Sequence, residues 1–203
     1  MGKPLTHRER SNVNIMPATN SKINVRPMSV HIGAEIEGVD LAQSLSSETV
    51  TEIRQALLKW KVVFFRDQHL DHAQHVKFAR HFGALTPGHV VFGHDETYPE
   101  IYSVSKFRTA TQNAAPPTSR PWSGWHTDVT AALNPPAASI LRGDVVPPYG
   151  GDTQWTNLVT AYENLSPTFR GMLDELRGVH RFEAQAAANG ESVKEFEARV
   201  NRR

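Results

Sequence analysis

The stretch Trp125-His126-Thr127-Asp128 sets an imidazole and a carboxylate two residues apart. On an extended segment, residues at that spacing point to the same side. His126 and Asp128 can then offer a nitrogen and an oxygen to one ion. A third ligand from elsewhere, usually another histidine, would complete a two-histidine, one-carboxylate arrangement. That arrangement leaves one face of an octahedral ion open, which suits non-haem Fe(II) and O2 chemistry. The triplet alone is not specific, because a chain with ten histidines meets an H-x-D pattern readily by chance. The same donors could instead hold zinc for hydrolysis, although no known hydrolytic motif here supplies a general base.

Composition narrows the chemistry. The 203 residues include no cysteine, which excludes disulfides, zinc–thiolate sites and thiol nucleophiles. Any metal must therefore be held by His, Asp or Glu. A formal net charge of +1 argues against a broad surface for nucleic acid or membrane. No stretch has the apolar length of a signal peptide or a membrane span. The expectation is a cytoplasmic protein with no nucleic-acid or membrane partner, long enough for one domain with a real core.

The elements that must position the pair can be read from periodicity. Residues 1–24 are polar and aperiodic and read as a disordered tail, leaving 25–203 as the domain. Short strand-like runs punctuated by Gly33 and Gly38 cover 23–39. A helix follows at about 47–60, capped by Ser46 or Ser47, with Val50, Ile53, Leu57 and Trp60 on one face. Val62-Val63-Phe64-Phe65 reads as a buried strand. A second helix runs over about 71–82, with Asp71 as cap, Gln74 three residues on and Gly83 at the stop. Residues 106–123 hold three prolines among polar residues and read as a long mobile loop. Strands are predicted at 101–104, 137–141, 153–157 and 179–182, with Pro147-Pro148-Tyr149-Gly150-Gly151 as a turn. A third helix at about 167–177 opens at Ser166-Pro167 and carries Phe169, Met172, Leu173 and Leu176 on a predicted buried face. Ser192 and Glu195 form a capping-box pattern for a last helix bearing Val193, Phe196 and Val200. The order predicts a mainly β fold with flanking helices, a sandwich or jelly roll. Alternating βαβ fits less well, because the second half has too few crossover helices.

Longer motifs surround the pair. About 25 residues beyond Asp128 lies Gly150-Gly151-Asp152-Thr153-Gln154-Trp155-Thr156. The succession Trp-His-Thr-Asp-Val-Thr, then Pro135-Pro136-Ala137, then Gly-Gly-Asp-Thr-x-Trp-Thr resembles the taurine dioxygenase (TauD/TfdA) family. Upstream, Ile32-Gly33-Ala34-Glu35-Ile36-Glu37-Gly38-Val39-Asp40-Leu41 and Lys61-Val62-Val63-Phe64-Phe65-Arg66-Asp67-Gln68 look like that family's first strands. Phe82-Gly83, Ala161-Tyr162-Glu163, Leu165-Ser166 and Leu176-Arg177 also fit. The resemblance covers about residues 25–182.

The resemblance implies a double-stranded β-helix (jelly roll, cupin-like) and Fe(II) bound by His126 and Asp128. It implies 2-oxoglutarate as co-substrate, with Thr153 hydrogen-bonding its distal carboxylate. The implied reaction uses O2 to hydroxylate a small, anionic organic substrate of the sulfonate, alkyl sulfate or carboxylate class, releasing succinate and CO2. His89, after Thr86-Pro87-Gly88, sits near, about one residue out of register with, the family histidine that contacts an anionic substrate head group. Trp122 stands where taurine-specific members carry asparagine, and Ala131 stands at a family aromatic position. Both point away from taurine and towards a differently walled pocket. Lys106, Arg108 and Arg120 flank the long loop and could attract an anion. The family also uses a distal histidine and an arginine that pairs with 2-oxoglutarate. After Asp128 the chain has only His180, whose context matches a structural strand residue, and Arg199, Arg202 and Arg203 lie outside the family's arginine context. Two readings follow: a C-terminally incomplete piece of a dioxygenase, or a catalytically inactive short member acting in binding or assembly. Missing strands would leave open edges and apolar surface, so a homo-oligomer is expected.

Overall fold

The computed structural model describes residues 23–86, 88, 94–104, 125–130, 132, 134–150 and 152–180. The expected 106–123 loop and the helix from Ser192 lie outside the described residues, as does the expected tail up to residue 22. The tail's last two residues are ordered: Ile23 is buried and Asn24 starts a strand.

β1 (Asn24–Pro27) pairs antiparallel with β2 (Ala34–Glu37), matching Asn24 to Glu37 and Pro27 to Ala34. The connecting turn closes through Met28 N–H on the Gly33 carbonyl at 2.9 Å, and Gly33 takes a φ of 87° that a side chain would resist. β2 then runs parallel to β3 (Val63–Phe64), giving the order β1-β2-β3. A parallel pair needs a crossover, and α1 (Ser47–Trp60) supplies it. One βαβ unit is thus present in the first half, whereas the lack of crossover helices that weighs against alternating βαβ concerns the second half.

α1 forms where its caps dictate. The Ser46 hydroxyl accepts from Thr49 N–H at 3.2 Å, Glu48 sits in the first turn and Lys59 in the last, each matching the helix dipole. Its buried residues are Thr49, Ile53 and Ala56. The expected stripe holds at Ile53, but Val50, Leu57 and Trp60 are only half-buried. The buried line runs instead through Thr49, Ile53 and Ala56. α2 (His72–Arg80) carries a full capping box: Gln74 N–H donates to Asp71 Oδ1 at 2.7 Å, and Asp71 N–H to Gln74 Oε1 at 2.9 Å. The core unites Ile23, Ile36, Leu41, Ile53, Ala56 and Phe78. Phe78 meets Phe65 and Phe82 edge-on, at ring-centre distances of 5.8 and 5.3 Å.

One carboxylate is buried in this unit. Glu35 on β2 is bonded by Arg66 Nε at 2.8 Å and by Arg26. These two guanidiniums, Arg66 foremost, hold its carboxyl below the usual carboxylate range.

The second half departs from the expectations. Residues 101–104, 137–141 and 153–157 are not strands, and neither are 179 and 180. A β-prone run becomes a strand only beside a neighbour that takes its N–H and C=O groups, and the described residues offer these runs none. An unexpected helix, α3 (Leu158–Glu163), starts where Asn157 accepts from Val159 N–H and Thr160 N–H at 3.0 and 3.2 Å. α4 (Pro167–Asp174) forms as expected, capped by Ser166, but its expected buried face lies open. Phe169 is 57% exposed, and Met172, Leu173 and Leu176 are exposed with it. The stripe is amphipathic, yet no described element packs on it.

Among the described residues, Trp155, Asn157 and Arg142 tether this half to the first. Trp155 sets its ring edge against Phe64 at 5.4 Å, and Asn157 Nδ2 donates to the His31 carbonyl at 2.7 Å. Arg142 donates to the Leu70 carbonyl at 2.6 Å and meets His72 Nδ1 at 3.2 Å. Beside it, burial and then the Arg142 charge push the His75 imidazole below the usual histidine range. No helix among the described residues is long and apolar enough to cross a membrane.

Candidate metal centre

Residues 125–127 have no regular structure and 128–130 form a turn. The pair therefore does not converge by strand alternation, as its spacing suggests. It converges because the chain folds back. Val129 takes a φ of 52°, in the left-handed region that a β-branched residue rarely enters, and its carbonyl accepts from Ala132 N–H at 3.1 Å. His126 Nε2 then stands 3.3 Å from Asp128 Oδ1, with the two side chains 54% and 45% exposed.

Neighbouring side chains brace this turn. Ser139 Oγ donates to the other carboxylate oxygen, Asp128 Oδ2, at 2.8 Å. His180 Nδ1 lies 3.0 Å from Thr130 Oγ1. Sequence reasoning assigns no role to Ser139. Its signal is a hydroxyl inside the otherwise apolar run 137–141. His180 reads from sequence as a strand residue, yet it stands outside any strand and bonds the turn beside the pair.

The donor set can be tested against an ion. Adjacent positions on an octahedron with bonds of about 2.1 Å lie about 3 Å apart. The 3.3 Å between His126 Nε2 and Asp128 Oδ1 suits one nitrogen and one oxygen on neighbouring positions. Among the described residues, no group of three His, Cys, Asp or Glu could hold a metal. Thr153 is exposed on the irregular segment 152–157, which Trp155 and Asn157 anchor to the first half. His89, Trp122, Ala131, Lys106, Arg108 and Arg120 lie outside the described residues.

The profile described as "Taurine catabolism dioxygenase TauD, TfdA family" matches residues 24–202. The chain belongs to the TauD, TfdA family. Among its relatives is an alkylsulfatase of Acinetobacter baylyi, 39% identical over 78% of this chain and 47% of the relative. Another is an alpha-ketoglutarate-dependent sulfate ester dioxygenase of Pseudomonas putida, 38% identical over 82% of this chain and 52% of the relative. A taurine dioxygenase from Burkholderia xenovorans has a solved structure, 60% identical, with a TM-score of 0.69 over 79% of this chain and 54% of that one. The chain thus shares the fold of TauD-type dioxygenases over most of its length. It spans about half the length of the relatives it matches.

Proposed function

We propose that this TauD, TfdA family chain supplies the His–carboxylate part of an Fe(II)- and 2-oxoglutarate-dependent dioxygenase site. The substrate is a small anionic organic molecule of the sulfate ester, sulfonate or carboxylate class. The observation that carries this reading is the 3.3 Å approach of His126 Nε2 and Asp128 Oδ1 inside the family-matched region. Relatives named as an alkylsulfatase and a sulfate ester dioxygenase support the substrate class. The fold on this reading is a double-stranded β-helix with α1, α2 and α4 outside it. The protein works in the cytoplasm as a homo-oligomer.

When bound, iron with 2-oxoglutarate supplies the O2 chemistry that hydroxylates the substrate and yields succinate and CO2. His126 contributes a neutral ring nitrogen and Asp128 an ionised oxygen, since both ligands must be deprotonated. Thr153 would donate its hydroxyl to the distal carboxylate of 2-oxoglutarate. By the family resemblance alone, His89 and Trp122 are the residues proposed to bind the substrate anion. This reading requires a third protein ligand and an arginine partner for 2-oxoglutarate in addition to the residues named here.

The test is succinate release with Fe(II), ascorbate and 2-oxoglutarate, screened over alkyl sulfates, alkanesulfonates and aryloxyacetates. The 203-residue chain is compared with one extended by the C-terminal part of the Burkholderia relative. The extended form should release succinate only with a matching anion, and His126→Ala or Asp128→Asn should abolish it. The chain alone should release none. Succinate release by the extended form that survives both substitutions overturns the assignment. So does hydrolysis that needs zinc and ignores 2-oxoglutarate.

A further inference from the structure

We infer that Ser139 is a positioning residue that decides how the carboxylate of Asp128 meets a metal. The inference rests on the reading of His126 and Asp128 as ligands. The two oxygens of Asp128 have different neighbours: Oδ1 stands 3.3 Å from His126 Nε2, and Oδ2 accepts from Ser139 Oγ at 2.8 Å. A carboxylate is symmetric and swivels about its last torsion, so nothing in Asp128 itself chooses which oxygen faces the imidazole. A hydroxyl has one proton to give. Spending it on Oδ2 fixes the swivel and leaves Oδ1 beside His126.

The surroundings make that restraint matter. The Asp128 side chain is 45% exposed, so water competes for both oxygens. Its backbone is held in a turn whose middle residue, Val129, takes a φ of 52° at a cost that the surrounding contacts must offset. His180 grips the far end of the turn through Thr130, and Ser139 grips the near end through the carboxylate. Ser139 follows Pro135-Pro136, whose rings fix φ and stiffen the approach. The hydroxyl therefore arrives on a constrained segment.

The chemical consequence concerns how many positions on an ion the protein occupies. A free carboxylate can bind through both oxygens, as it often does in calcium sites. With Oδ2 engaged by Ser139, binding through Oδ1 is favoured over binding through both oxygens. That economy keeps the opposite face of an octahedral ion open for small molecules.

The experiment titrates the 203-residue chain with Mn(II), followed by water-proton relaxation, which reads weak binding. Ser139→Ala should weaken Mn(II) binding by about tenfold, the lower end of what loss of a ligand's hydrogen-bond partner costs. Ser139→Thr keeps a hydroxyl and should restore wild-type binding. The melting temperature of the metal-free chain should not move in either variant. Asp128→Asn should reduce binding to the level of His126→Ala. Wild-type affinity in Ser139→Ala, with binding lost in Asp128→Asn, overturns the role of Ser139 and leaves the ligand reading standing. Unchanged binding in Asp128→Asn removes the ligand reading and this inference with it. A fall in the metal-free melting temperature of Ser139→Ala, not rescued by Ser139→Thr, would make Ser139 merely structural.

Discussion

α2 and α4 are matched pieces of sequence. They have nine and eight residues, each is capped by a side chain that accepts from a first-turn N–H, and each carries a phenylalanine on its apolar stripe. Phe78 on α2 is 4% exposed and Phe169 on α4 is 57% exposed. The local signals that start a helix are satisfied in both. What differs is the face opposite. Phe78 of α2 joins the core of Ile23, Ile36, Leu41, Ile53 and Ala56 and meets two further phenylalanines, whereas no described core residue belongs to α4. Helix formation is thus decided within a turn or two of sequence, and burial by residues far away.

The largest effect expected from this contrast is in paired truncations. Phe78→Ala should destabilise the chain by about 3–5 kcal/mol through the lost burial and the cavity left behind. Phe169→Ala should stay within about 0.5 kcal/mol. Denaturant unfolding of both variants checks this, and equal losses would mean that α4 is buried in solution. A smaller effect separates the caps. Asp71→Ala should cost about 1 kcal/mol of global stability. Ser166→Ala should reduce helical signal without moving the unfolding midpoint, since α4 is not coupled to the core.

Two pH dependences sharpen the contrast further. The folded-state pKa of Glu35 lies below its ordinary value, because of Arg66 and Arg26. Its stabilisation is therefore complete above the ordinary value and is lost as pH falls through the lowered one. Glu35→Gln should flatten the acid limb of a stability-versus-pH curve. His75 follows the same sign for a different reason: burial, then Arg142, keeps it neutral when folded. The tether of α2 to residues 140–142 should hold above the ordinary histidine value and weaken as pH falls through the lowered one. Hydrogen exchange should rise at 140–142 before it rises at 34–37. Simultaneous exchange in both segments would show that the halves open together.

What could be read from sequence follows the same line. α1, α2 and the strand runs that hold β2 and β3 are legible because their caps, turns and neighbours all lie within about 50 residues. Residues 153–157 look like a strand because Thr153, Trp155 and Thr156 favour one, and that impression hides the cap at Asn157 that starts α3. The pair His126 and Asp128 is legible from residue type and spacing. The turn that joins them is not, because Val129 in isolation argues for an extended backbone and adopts a left-handed one. Ser139 is invisible for a related reason: a hydroxyl acquires meaning only when folding places it 2.8 Å from a carboxylate eleven residues away.

The β2–α1–β3 crossover closes within about 30 residues, and among the described residues the core cluster around it lies within residues 23–82. During synthesis the chain emerges at roughly 5–20 residues per second. Residues 23–86 are therefore available to fold roughly five to twenty seconds before residue 180 is added. The ribosome would then carry a finished unit followed by a length of chain rich in uncovered Leu, Val, Phe and Trp. Such a nascent chain presents its aggregation-prone part late and next to a solid anchor, so a holding chaperone should bind it after residue 125 and release it only when that surface is covered.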